Sequence, residues 1–139
     1  MRKLFLVILA VVAVISPSTA FTADANSAKV IAYYFHGSVR CYTCNMMEKY
    51  SKEAIGTNFK DDLASGKLEF KAVNVENRGN EHFVDDYKLY TKSLILSLVK
   101  DGKEVKSKNL DKIWQLTRNK QKFIEYVTAE VNALMKDVR

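Results

Sequence analysis

The sequence predicts an α/β domain, a four-stranded mixed sheet with flanking helices in the order β-α-β-α-β-β-α. Three observations predict it. Apolar runs with strand character alternate with runs at helical spacing, an Asp-Gly pair joins the last two strand-like runs, and the only two cysteines stand as Cys41-Tyr42-Thr43-Cys44 where the first strand gives way to the first helix.

The first two dozen of the 139 residues read as a leader. Arg2 and Lys3 precede an unbroken apolar run from Leu4 to Ile15, and Ser16 to Ala20 supplies small residues for cleavage. This is the pattern of a secretory signal peptide over residues 1–20, with Ala23-Asp24-Ala25 as a second cleavage site. Twelve apolar residues fall short of the ~20 that span a bilayer, so a membrane tie is expected only through an uncleaved leader. No cysteine near the cleavage region could carry a lipoprotein anchor. The chain is therefore expected to be exported, to the periplasm or beyond the cell, where disulfides persist.

Cleavage after Ala20 removes Arg2 and Lys3 and leaves 20 basic residues (22 − 2) against 16 acidic ones, about +4 net. The two signs are interleaved, as in Lys100-Asp101-Gly102-Lys103-Glu104, which excludes the one-sided basic stripe of a nucleic-acid binder. The remaining length is that of one domain, here residues 29–138, and a monomer is expected.

Residues 29–35 include Val-Ile-Ala-Tyr-Tyr-Phe, continuously apolar and rich in β-branched and aromatic residues, as in a strand covered on both faces. After Cys41 the pattern turns helical, with Met47, Tyr50, Ala54 and Ile55 on one side and Gly56 as an interruption or end. Phe59 and Leu63 mark a further turn or two, closed by Ser65-Gly66. Residues 67–75 form a second strand, parallel to the first because a helical crossover joins them. Residues 81–90 read as a helix with Phe83, Tyr87 and Tyr90 along one side. Leu94 to Val99 is a third strand, and Asp101-Gly102 turns it into a fourth, whose Lys103, Lys106 and Lys108 blunt a sheet edge. Leu110 to Leu116 is a short helical segment, and Asn119 caps a final amphipathic helix carrying Phe123, Val127, Val131, Leu134, Met135 and Val138.

A C-x-x-C at a helix start points to thiol-disulfide exchange. Cys41 would meet unpaired backbone N–H groups and the positive end of the helix dipole, which favour thiolate, with Arg40 adding a cation. Cys44, three residues on and deeper, would resolve the mixed disulfide formed at Cys41. Tyr42 and Thr43 lie between them, and Tyr42 should be exposed to a partner. Haem attachment is excluded because Asn45, not histidine, follows the motif. Two other uses of the pair stay open. The dithiol could bind Cu(I), zinc or arsenite, with His36 and Met47 completing a metal site, or the disulfide could be structural in a non-catalytic partner subunit. Met46 and Met47 otherwise read as core, His82 as a surface helical residue, and Trp114 as a core or rim aromatic.

The element order, with the C-x-x-C after the first strand, resembles the minimal thioredoxin-like fold in its glutaredoxin-type form. The run Tyr33-Tyr34-Phe35-His36-Gly37-Ser38-Val39-Arg40-Cys41-Tyr42-Thr43-Cys44 is further similar to the opening of the thioredoxin-like family of nitrophenyl-compound nitroreductase subunits, ArsF-like. His82-Phe83-Val84, Tyr87 to Ser93, and Leu110-Asp111-Lys112-Ile113-Trp114 extend the likeness. The resemblance implies a redox subunit with catalytic Cys41 and Cys44, no organic cofactor, and a protein dithiol or disulfide as partner. It also implies partner contacts at Arg40, Tyr42 and Thr43, and at Ser93 or Leu94, where the fold's usual cis-proline is replaced; the chain's single proline is Pro17. The buried acid and lysine of thioredoxin correspond to Phe35 and Ala72, so that proton-handling pair is absent.

Overall fold

A computed structural model describes residues 27–139; the leader expected over residues 1–20 or 1–25 lies outside them. The elements are β1 (Ala28–His36), α1 (Tyr42–Asn58), α2 (Lys60–Ala64), β2 (Leu68–Asn74), α3 (His82–Asp86), β3 (Ser93–Lys100), β4 (Lys103–Asn109), α4 (Ile113–Leu116) and α5 (Lys120–Met135). The sheet order is β2-β1-β3-β4. β2 runs parallel to β1, while β3 is antiparallel to both β1 and β4. This is the four-stranded mixed sheet that the sequence predicts, with β1 in an interior position.

The unbroken apolar character of β1 follows from that position, because each face meets a different layer. Val30, Ala32 and Tyr34 point with Leu94, Leu96 and Leu98 of β3 into the main core. α1 and α5 close it with Met47, Ala54, Ile55, Phe123, Val127 and Val131. On the opposite face Tyr33 and Phe35 stack at 5.3 Å, and Phe83 and Tyr87 cover Phe35 at 5.0 and 5.4 Å between ring centroids. Coverage of this strand on both faces fixes where its carboxyl end, and hence the cysteine loop, must emerge.

Three local expectations change. Gly56 neither interrupts nor ends α1; the break falls at Phe59, whose φ of −131° leaves the helix. Ala54, Ile55 and Phe59 are all buried, and that packing carries the helix past a residue of poor propensity. The helix expected over residues 81–90 spans only His82–Asp86. Lys88 takes a left-handed φ of 51°, and the Leu89 N–H reaches back to the Val84 carbonyl, so the chain turns off as it does at a glycine C-cap. Tyr90 is thereby thrown out to 95% exposure instead of joining Phe83 and Tyr87.

Other signals act as their chemistry requires. Asp101 and Gly102 both have positive φ, 52° and 75°, and make the two-residue turn between β3 and β4. β4 is exposed along its length, an edge strand guarded by lysines. The Asn119 side chain accepts the Lys122 N–H at 3.0 Å and caps α5.

Candidate functional site

The loop from Gly37 to Arg40 carries the chain from the end of β1 to α1, and the far end of β2 holds it. The Ser38 N–H donates to Glu76 Oε2 at 3.0 Å, and Asn74 Nδ2 donates to Ser38 Oγ at 3.0 Å. Glu76 packs closely on Gly37: a Cβ there would fall 2.5 Å from Oε1, so a side chain at this position would push the flexible Glu76 carboxylate aside. The Ser38 bonds hold the Glu76 carboxyl below its usual pKa.

Cys41 takes extended backbone angles and is the N-cap of α1. Its sulfur accepts the Cys44 N–H at 3.1 Å, and its carbonyl accepts the Asn45 N–H at 3.1 Å. A cysteine thus fills the position that serine or aspartate usually takes, and its sulfur faces the unpaired N–H groups of the first turn. Cys41 and Cys44 are joined by a disulfide, with Cα atoms 5.1 Å apart. Burial divides them: Cys41 is exposed and Cys44 is 1% exposed. An incoming sulfur can reach Cys41 and not Cys44.

Beneath Cys44 lies a group that the reading of β1 as a plain apolar strand concealed. The Tyr34 hydroxyl, fully buried, donates to the Cys44 carbonyl at 2.7 Å. Burial pushes the Tyr34 pKa up to about 12; nearby Arg40 opposes that rise and Glu48 adds to it. The phenol therefore stays a neutral donor and pins the first turn of α1 to the centre of the sheet.

Arg40, directly before Cys41, is engaged by other side chains. Its Nη2 donates to the Glu48 carboxylate, on the second turn of α1, and its Nη1 lies 3.4 Å from His36 Nε2. Its Nε is buried and has no hydrogen-bond partner among the described residues. Tyr42 is exposed, at 80%, and Thr43 is half-buried. Ser93 and Leu94, the other expected partner contacts, are buried; Ser93 donates to the Thr91 carbonyl at 3.0 Å and Leu94 belongs to the core. The surface there is made by Tyr90 and Thr91 instead, because the outward turn at Lys88 lifts them over the start of β3.

Met47 is fully buried in the core, and His36 Nδ1 lies 2.9 Å from the Gly37 carbonyl. Among the described residues no group of three or more His, Cys, Asp or Glu is placed to hold a metal ion. A cleft of about 180 Å³ opens between α3 and this end of the sheet, lined by residues that include Phe35, His36, Val84, Leu89, Tyr90 and Lys92. Trp114 borders the same end, its indole N–H donating to the Lys92 carbonyl at 3.0 Å. Sequence spacing could not place Tyr90 or Trp114 here, since Tyr90 lies in the loop after α3 and Trp114 in α4, whereas Glu48, four residues after Cys44 on α1, could have been found by helical spacing.

No family model matches the chain, and no curated protein matches it. Among solved structures it is similar to a thioredoxin of Fasciola hepatica, at 20% identity over 74% of this chain and 82% of that one, with a TM-score of 0.38. It is similar also to Chlamydomonas reinhardtii thioredoxin f2, at 16% identity over 71% and 83% of the two chains, with a TM-score of 0.37.

Proposed function

We propose that this chain is an exported thiol-disulfide oxidoreductase or redox-transfer subunit that works through Cys41 and Cys44. The observation that carries the reading is the exposed Cys41 at the N-cap of α1, bonded to a buried Cys44. In the reducing direction the Cys41 thiolate attacks one sulfur of a partner disulfide; a Cys41–partner bond forms and the partner's other sulfur leaves as thiolate. Cys44, deprotonated, then attacks the Cys41 sulfur, the mixed disulfide breaks, and the partner departs as a dithiol. Two electrons pass to the partner and the Cys41–Cys44 bond is regained. The reverse sequence oxidises a dithiol partner. The sulfur pair carries the electrons, so the reaction calls for no organic cofactor.

The leader-like pattern of residues 1–20 supports export. The likeness of residues 33–44 supports a place near the nitrophenyl-compound nitroreductase subunits, ArsF-like, and hence a protein dithiol or disulfide as partner. An equilibrium redox titration of the purified protein, read by thiol alkylation, tests the reading. A two-electron transition within roughly −270 to −120 mV is expected, the span from thioredoxin to strong oxidants. A disulfide that resists reduction across that span, or a tightly held metal ion that blocks its formation, would overturn it.

A further inference from the structure

We propose that Glu48 is a positioning residue that engages the Arg40 guanidinium and so competes with the Cys41 thiolate for that cation, keeping the Cys41 thiol less acidic than its place after an arginine at a helix start would make it. The inference rests on Cys41 being the attacking thiol.

The geometry is that of a restrained cation. Arg40 directly precedes Cys41, yet its hydrogen bonds run to the Glu48 carboxylate and towards His36 Nε2. The two side chains of the ion pair are mostly buried, at 28% and 26% exposure, so solvent screens them less than a surface pair. The Arg40 Nε is buried with no hydrogen-bond partner among the described residues, so the Glu48 carboxylate is the charged partner of this guanidinium there. Without Glu48 the half-buried guanidinium loses its counter-ion, and the Cys41 thiolate becomes the anion next to it in the chain.

Other charges frame the site. Tyr34 of β1 donates to the Cys44 carbonyl from beneath, and Lys49 and Lys52 of α1 line a cleft with Arg40 and Glu48. Arg118 lies across a second cleft from Tyr42 and Thr43. None of Lys49, Lys52 and Arg118 makes an ion pair among the described residues, so their field is common to wild type and variants.

The test is a cycle of Glu48→Gln, Arg40→Gln and the double variant, measuring the pH midpoint of Cys41 alkylation in the reduced protein. Glu48→Gln should lower that midpoint by about one unit, a tenfold gain in thiol acidity, and move the redox potential ~30 mV towards oxidant. In the Arg40→Gln background the same change should shift neither. Equal shifts in both backgrounds would show that Glu48 acts on Cys41 by its own field and would overturn the inference, as would an unmoved midpoint in Glu48→Gln. Glu48→Asp, which keeps the carboxylate, should restore the wild-type midpoint if Glu48→Gln folds poorly; failure to do so also counts against it. Alkylation of Cys44 ahead of Cys41 would instead defeat the exchange reading itself.

Discussion

Replacing Tyr34 by phenylalanine isolates one atom of the site. The ring and its packing remain, and only the hydroxyl that donates to the Cys44 carbonyl at 2.7 Å is lost. A buried intramolecular hydrogen bond contributes about 1 kcal/mol net. An acceptor left wholly unpaired would add a larger penalty, but a carbonyl in the first turn of a helix keeps its ladder donor four residues on. The expected loss is therefore about 1 kcal/mol, or a fall of roughly 4 °C in Tm for a domain of this size. Its pH dependence is set by the tyrosine, whose pKa stands at about 12 in the fold against an ordinary 10.0. A folded pKa raised above the unfolded value gives stability that is fully present below pH 10 and disappears as pH rises from about 10 to about 12. The assay is urea unfolding of oxidised wild type and Tyr34→Phe across pH 7–12, with the slope m held equal. The two curves should lie ~1 kcal/mol apart at pH 7, close up above pH 10 and cross before pH 12, since the linkage of a shift from 10.0 to about 12 exceeds that gap. A gap that is absent at pH 7, or that widens with pH below the crossing, would refute the reasoning.

Three further outcomes are expected. Asn119→Ala removes the side-chain cap of α5 and should cost about 1 kcal/mol in urea unfolding, with m unchanged. Gly37→Ala should force the Glu76 carboxylate off the loop and lower the urea midpoint; in a Glu76→Ala background the same change should have almost no effect, a non-additivity that a double-mutant cycle reads directly. Hydrogen bonds from Lys29 and Lys71 hold the Glu69 pKa below its ordinary 4.5, so its contribution is present above about pH 4.5 and is lost as pH falls through the folded value. Glu69→Gln should accordingly show a shallower loss of stability between pH 5 and 3 than wild type, as followed by Tm.

The elements that could be read from the sequence are those whose signal is local. The apolar run of β1, the Asp101-Gly102 turn and the Asn119 cap each specify their own geometry, and their order specifies the sheet. α3 is shorter than its sequence suggests because Phe83, Tyr87 and Tyr90 keep helical spacing, while Lys88 adopts a backbone angle that lysine seldom takes, just past the helix end. At the site, the unequal exposure of Cys41 and Cys44 follows from three-residue spacing at a helix start and was legible. The surroundings were not. The bond from Tyr34 looks in sequence like one more apolar strand residue, and the pairing of Arg40 with Glu48 depends on how a four-residue loop enters the helix. Ser93 and Leu94 were expected at the surface by likeness to a proline-bearing fold, whereas here they are buried and Tyr90 and Thr91 stand outside them.

The claim that Cys41 attacks and Cys44 resolves is tested most directly by trapping. Cys44→Ser, reduced and then mixed with a disulfide-bonded peptide, should accumulate a covalent adduct through Cys41, because the thiol that would release it is gone. Cys41→Ser should form far less adduct, its remaining thiol being buried. Comparable adduct from both variants, or none from Cys44→Ser, would contradict the account.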